Sequence, residues 1–333
     1  MEMISELGES GRLHFNVILM RNILLYIFFI PVFSFCQNIG YVLHESGQVY
    51  KTTNGGINWT EVGLSGYATC TGIDFIDENI GFVLHESGQV YKTTNGGVSW
   101  TEVGLSGYAT CKEIDFVNSN LGFVLHQSGQ VYKTTNGGMS WTEVGLSGYS
   151  ICTDIDFVND NTGFVLHESG QVYKTTNGGM NWTEVGLSGY ASCVGINFVN
   201  ESAGFVLHES GQVYKTTNGG ISWTEIGLSG YASCTGVDFV NGNIGFVLHE
   251  SGQIYKTTNG GVTWVNIGLS AYATCSSISF FNSNVTGVDE LIESDKKVIK
   301  LVDIMGRETS YKEGQILFYI YSDGTSEMVC GFK

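Results

Sequence analysis

Histidine beside glutamate can hold a metal ion or pass a proton, and this sequence presents the pair repeatedly. His44, His85, His126, His167, His208 and His249 stand 41 residues apart, each opening a His-(Glu/Gln)-Ser-Gly-Gln run. Imidazole is a common metal ligand and titrates near neutral pH. Cysteine keeps the same step, at Cys70, Cys111, Cys152, Cys193, Cys234 and Cys275, which raises disulfide pairing as a second chemistry. Loops such as Asn159-Asp160-Asn161-Thr162-Gly163 offer oxygen ligands, but the spacing of a calcium loop is not met.

Which of these chemistries is open depends on the elements that carry the residues. A fixed period of this size decides the architecture. One unit reads as four strands: 111–117 (Cys-Lys-Glu-Ile-Asp-Phe-Val), 122–126 (Gly-Phe-Val-Leu-His), 130–135 (Gln-Val-Tyr-Lys-Thr-Thr) and 141–146 (Trp-Thr-Glu-Val-Gly-Leu). Asn-Ser-Asn, Gln-Ser-Gly and Asn-Gly-Gly separate them. These are turn residues between β-branched and aromatic stretches. Four strands in about 40 residues is the size of a propeller blade, and the 3.6-residue spacing of a helical solenoid is absent. The sequence therefore predicts an all-β, six-bladed propeller over residues 37–284. The first copy begins at Ile39 with its second strand, and a spare first strand, Cys275 to Phe281, follows the last copy. The spare strand should complete the first blade and close the ring, which removes the edge-strand problem.

Ring geometry constrains the chemistry. With the inner strands about 8 Å from the axis, neighbouring histidines on the second strands would be about 13 Å apart, far beyond zinc distances of about 2 Å. The adjacent Glu, or Gln127 in one copy, points to the opposite face of its strand. The histidines are expected to be packed or loop-facing polar residues. By the same reasoning equivalent cysteines lie about 8 Å apart, beyond the bridging limit of about 7 Å, and should be buried thiols. No metal and no cofactor is expected.

Composition agrees. The chain has 46 Gly, 17 Tyr, 19 Phe and one Pro, Pro31, which suits short strands joined by glycine turns. Its net charge is -17 and its only arginines are Arg12, Arg21 and Arg307, so the basic footprint that a nucleic acid requires is missing. Met20-Arg21-Asn22 precedes an apolar run, 23–35, ending Ser34-Phe35-Cys36 before Gln37. That is the layout of a secretory signal, too short for a membrane span. Residues 1–19 read as an extension ahead of a true start at Met20, 20–36 as the signal peptide cleaved between Cys36 and Gln37, and 285–294 as a linker. Lipidation of Cys36 is disfavoured because Phe35 before it is large.

At Thr52-Thr53-Asn54-Gly55-Gly56-Ile57-Asn58-Trp59 the chain resembles the Asp-box turn of bacterial-neuraminidase-type repeats, and the whole unit resembles the photosystem II stability and assembly factor type of propeller. The resemblance implies a hairpin between third and fourth strands whose Trp packs into the sheet. Here Asn replaces the usual Asp, at Asn54, Asn95, Asn136, Asn177, Asn218 and Asn259, each paired with Trp59, Trp100, Trp141, Trp182, Trp223 or Trp264. Asn accepts the same backbone hydrogen bonds and tolerates the left-handed conformation. Residues 295–333, with Asp303-Ile-Met-Gly306-Arg307-Glu308 and Asp323-Gly324-Thr325, resemble the sorting domain of the type IX secretion system of Bacteroidota, a small β-sandwich-like unit. That implies export to the medium or the outer-membrane surface with type IX machinery as partner.

Sialidases carry Asp-boxes, but they clamp their substrate's carboxylate with arginines, and residues 37–284 contain none. The sequence reads as a secreted or cell-surface, non-catalytic scaffold for a glycan, an envelope component or a protein. An assembly or maturation factor is the first alternative and a glycosidase the second. Copies this alike reveal function through their differences, which concentrate at 71–72 and 77–79 and their equivalents. Thr71, Lys112, Glu113, Asp154, Glu78 and Asp160 are therefore the candidate ligand-facing residues. Amino-terminal sequencing of the exported protein should read Gln37 first; an uncleaved chain would remove the signal-peptide reading.

Overall fold

The computed structural model describes residues 38–64, 66, 69–105, 107, 110–146, 148, 151–187, 189, 192–228, 230, 233–269, 274–282, 298–303, 307, 316–321 and 326–330. The segments read as extension, signal and linker, with Cys36 and Gln37, lie outside them. Six four-stranded antiparallel sheets form a six-bladed propeller. In the second blade the strands are Cys70–Phe75, Gly81–His85, Val90–Thr93 and Thr101–Gly104, in that order from the axis outward. The expected closure is present: Cys275–Asn282 pairs antiparallel with Asn38–His44, from Asn38↔Asn282 to His44↔Cys275. Val298–Asp303, Ile316–Tyr321 and Ser326–Cys330 form a separate three-stranded antiparallel sheet.

Blade strands lack the alternation of a half-buried sheet because neighbours cover both faces. In Gly81-Phe82-Val83-Leu84 every residue is buried, yet the period of two still sorts them. Val83 packs toward the first blade with Tyr41, Leu43, Ile73 and Phe75, whereas Phe82 and Leu84 pack toward the third with Ile114 and Phe116. The core is thus six inter-blade clusters, and the cluster joining last blade to first, with Phe246, Leu248, Val42 and Phe280, has the same make-up.

Each interface contains a stack. Phe123 lies on Phe157 at a centroid distance of 3.5 Å, Trp182 meets Phe157 edge-on at 5.9 Å, and Lys133 Nζ sits 5.3 Å from the Phe123 ring centre. At the closing interface Phe246 and Phe280 stack at 3.6 Å, with Trp59 edge-on at 6.0 Å.

One boundary differs from the sequence pattern. The fourth strand begins after the Trp, at Thr101 in one copy and Thr142 in the next, because the indole belongs to the turn. Trp141 Nε1 donates to Gly138 O at 2.9 Å. The Trp residues are accordingly half-buried rather than sunk in the sheet.

Phe157→Ala should cost about 3–5 kcal/mol in chemical denaturation, the usual range for deleting a buried ring. Phe280→Ala should cost as much, although its strand closes the first blade from far along the chain; a much smaller loss would mean that the ring does not close cooperatively.

Candidate interaction face and central channel

The inner strands surround a cavity of about 90 Å³, well below the roughly 300–1,000 Å³ of small-molecule sites. Its polar lining is two rings. The first holds the residue between Ile (Val237 in one copy) and Phe of each inner strand: Asp74, Asp115, Asp156, Asn197, Asp238 and Ser279. Each accepts a hydrogen bond from the backbone N–H of the next blade's Phe. Phe116 N donates to Asp74 Oδ2 at 2.8 Å, Phe157 N to Asp115 Oδ2 at 2.8 Å and Phe198 N to Asp156 Oδ2 at 3.0 Å. Phe239 N donates to Asn197 Oδ1 at 3.0 Å, Phe280 N to Asp238 Oδ2, and Phe75 N to Ser279 Oγ at 3.0 Å. The circuit is complete.

The second ring, two residues earlier, includes Glu113, Asp154 and Ser277. Asp154 accepts from Ile155 N and Ile196 N at 2.7 Å each, and Glu113 from Ile114 N at 3.1 Å. Enclosure raises every carboxyl: Asp74, Asp154 and Asp238 are pushed up to about 7 by burial, the backbone N–H bonds acting against it. Glu113, Asp115 and Asp156 rise well above the usual carboxylate range, through burial first and neighbouring carboxylates as well. Among the described residues no group of three or more His, Cys, Asp or Glu could hold a metal ion, and no helix is long and apolar enough to cross a membrane.

Of the candidate ligand-facing residues, Glu113 and Asp154 thus line the channel with their carboxylates bonded to backbone. Thr71 and Lys112 occupy one equivalent position on the inner strands, half-buried, the Thr71 hydroxyl lacking a hydrogen-bond partner. Glu78 and Asp160 are exposed on the turns between first and second strands. The Glu78 carbonyl accepts from Tyr41 Oη at 3.2 Å and Lys51 Nζ at 3.3 Å across the blade boundary. The structure therefore divides these six between channel and rim. Asn159, in the loop considered for calcium, caps its own turn, accepting from Asn161 N at 3.0 Å and Thr162 N at 2.9 Å.

Antiparallel order puts the first-to-second and third-to-fourth turns at one end of every blade. The latter turn is built as its composition requires. Thr52 Oγ1 accepts from Gly56 N at 3.0 Å, Asn54 Oδ1 accepts from Asn58 N at 2.9 Å, and Trp59 Nε1 donates to Gly56 O at 3.0 Å. Gly55 and Gly56 adopt φ of 68° and 94°, which favours glycine. The turn holds one large aliphatic outward: Ile57, Val98, Met139, Met180, Ile221 and Val262 are 67% to 74% exposed. This ring was not singled out from the sequence. The available signal is that the copies differ there yet stay aliphatic, while the next residue is always Asn, Ser or Thr. The sixth blade also departs from symmetry: Val265-Asn266 replaces Thr-Glu in its outer strand, and Val265 is 63% exposed.

At the opposite end His44 Nδ1 lies 2.7 Å from Ser46 Oγ, which donates to Gln48 Oε1 at 2.9 Å, and His44 Nε2 lies 3.1 Å from Thr274 Oγ1. At His44, His85 and His126 the histidine thus ties its own turn to the segment that enters the inner strand of the same blade, whereas at His167 the corresponding residue, Ile151, has no hydroxyl. Beside it Thr69, Thr110, Ile151 and Thr274 hold φ between 66° and 69°, a strained region for β-branched residues. The six repeated cysteines, Cys70 to Cys275, are buried, and their burial pushes each thiol up to about 12.

The profile of the family described as Photosynthesis system II assembly factor YCF48 matches residues 57–183 and 140–279. No curated protein matches the sequence. Among solved structures the chain is similar to one described as YCF48 bound to D1 peptide, at 12% identity, 88% of each chain covered and a TM-score of 0.50. It is also similar to a chain of a Nidogen/Laminin complex, at 9% identity, 74% of this chain and 99% of that one covered, and a TM-score of 0.64. At such identities the likeness bears on the fold alone.

The raised carboxyls set the sign of a pH dependence. An unfolded Asp titrates near ~3.9, so between about 4 and 7 the native state binds more protons, and this contribution is full below the unfolded value and lost as pH rises through the folded one. Denaturation midpoints should fall from pH 5 to pH 8. Asp115→Asn, which copies the neutral acceptor at Asn197, should raise the midpoint at pH 8 and flatten the slope; an unchanged profile would mean that the channel carboxyls do not govern it.

Proposed function

Since the chain belongs to the Photosynthesis system II assembly factor YCF48 family, we propose that it is a non-catalytic binding protein that engages a segment of another protein during assembly or maturation. The observation that carries this reading is the ring of exposed aliphatics on the turn face. Exposed apolar residues scattered singly need no explanation, but these recur in all six blades and vary only among Ile, Val and Met. Full burial of each side chain would be favourable by roughly 1.5–3 kcal/mol. A related propeller has been solved with a D1 peptide bound, which supports a peptide as the kind of ligand.

Charge narrows the partner. The repeated lysines lie over aromatic rings of their own blades, while Asp77, Glu78, Asp160, Glu201 and the outer-strand Glu61, Glu102, Glu184 and Glu225 are exposed. A segment that mixes basic with apolar side chains complements this face. Six equivalent positions permit multivalent contact, and Val262 with Val265 gives the sixth blade a site unlike the rest. In this reading the signal peptide and the type IX sorting segment deliver residues 37–284 to the medium or to the outer-membrane surface, where the partner is also an exported protein.

Peptide display against the intact protein should enrich sequences alternating basic and apolar residues. Replacing Ile57, Val98, Met139, Met180, Ile221 and Val262 together by Ser should weaken their binding by at least tenfold without shifting the unfolding midpoint much. Enriched peptides that bind this variant equally well would overturn the proposed face, and glycoside turnover would overturn the non-catalytic reading.

A further inference from the structure

The residue that sets each turn, Asn, is followed by Gly in all six copies. Asn-Gly is the dipeptide most open to spontaneous deamidation, because no side chain shields the following backbone nitrogen. In that reaction the Gly nitrogen gives up its proton to solvent base and bonds to the Asn Cγ. The carboxamide nitrogen leaves as ammonia, and water opens the resulting succinimide to Asp or isoAsp. The attack needs the nitrogen and Cγ at near-contact in a suitable orientation, and the fold opposes it in two ways.

First, the Gly nitrogen is engaged. Gly96, Gly137, Gly178, Gly219 and Gly260 donate at 2.8–2.9 Å to the carbonyls of Asn79, Asn120, Asn161, Ser202 and Asn243. Attack breaks that bond and leaves a carbonyl without its donor. Those carbonyls sit in covalent turns clamped by Asx bonds, such as Asn120 N to Asn118 Oδ1 at 3.0 Å. Second, the carboxamide is fixed. Its Oδ1 accepts from the residue four positions on, and in four copies its Nδ2 donates to a hydroxyl there: Asn95 to Ser99, Asn136 to Ser140, Asn218 to Ser222 and Asn259 to Thr263, at 2.8–2.9 Å.

Asn54 has weaker protection on both counts. Gly55 N donates to Asn38 O at 3.0 Å, and Asn38 opens a strand at the ring closure, where it faces Asn282 across the pairing and no turn joins the two. Position 58 is Asn, so the hydroxyl clamp is missing. Asn177 shares only the second deficit, with Asn181 at the corresponding place. We infer that Asn54 is a modification site: among the six Asn-Gly pairs of these equivalent turns it is the first point of deamidation, followed by Asn177, with the other four guarded by the fold; a seventh pair, Asn241-Gly242, lies in a first-to-second-strand turn and stands outside this comparison. Conversion to Asp restores the acidic residue usual in such turns, whereas isoAsp lengthens the main chain and misaligns the acceptor for Asn58 N.

A lysine precedes each of these turns, so trypsin places the six pairs in separate peptides, and in the one starting at Thr216, which also holds Asn241-Gly242, fragmentation separates the two sites. The folded protein, aged at mildly alkaline pH and then digested, should show the one-mass-unit gain first in the peptide starting at Thr52. Among the six turn sites the peptide starting at Thr175 should come second, both several-fold ahead of the other four. In urea the six rates should converge. Asn58→Ser, which copies the residue found in three other blades and so preserves folding, should slow Asn54 several-fold. Another of the six turn sites leading, or equal rates among the six in the folded protein, overturns the assignment; an unchanged Asn54 rate in Asn58→Ser overturns the part given to the carboxamide clamp.

Discussion

Each inner strand of a closed ring turns an edge to the axis, where no further strand can pair with it. Backbone groups buried there need acceptors from elsewhere. In this protein the side chain one blade back supplies them: Asp74 for Phe116, Asp115 for Phe157, and onward to Ser279 for Phe75. Every bond crosses a blade boundary, so one interaction both satisfies the inner edge and holds neighbouring blades together. The stacked aromatics lie immediately beside it, because Phe116 donates the bond through its backbone and packs on Phe82 through its ring.

Carboxylates are an uneasy choice for that task. Several enclosed in a cavity of about 90 Å³ repel one another when ionised, and desolvation adds to the penalty. Asn197 and Ser279 perform the same task without charge, so the hydrogen bond rather than the charge is what the position requires.

Much of this was legible in the sequence. The 41-residue step, the four apolar strands per unit and the unmatched ends lead to a six-bladed ring closed by Cys275 to Phe281, and the structure pairs Cys275–Asn282 with Asn38–His44, one residue longer at that end. The channel was less so. Variation drew attention to Glu113 and Asp154, whereas Asp74 and its equivalents, nearly constant, went unremarked. Alternation held the clue: with Ile73 and Phe75 turned to one neighbour, Asp74 must face the other, in the strand next to the axis. The exposed aliphatics stayed hidden for a different reason, since a turn residue's exposure depends on how the neighbouring blade is placed. The strand boundary at Trp141 also needed three dimensions, because nothing in one repeat reveals that its indole bonds back to Gly138.

The ring's seam is non-covalent, and this has an evolutionary side. Because Cys275–Asn282 binds Asn38–His44 with the same register and the same kind of inter-blade packing found elsewhere, the packing at the seam does not require that this blade be the first. A circularly permuted gene, opened at another turn, would specify the same disk. The seam can therefore migrate under recombination among near-identical copies, provided that whole repeats are exchanged and their number is kept.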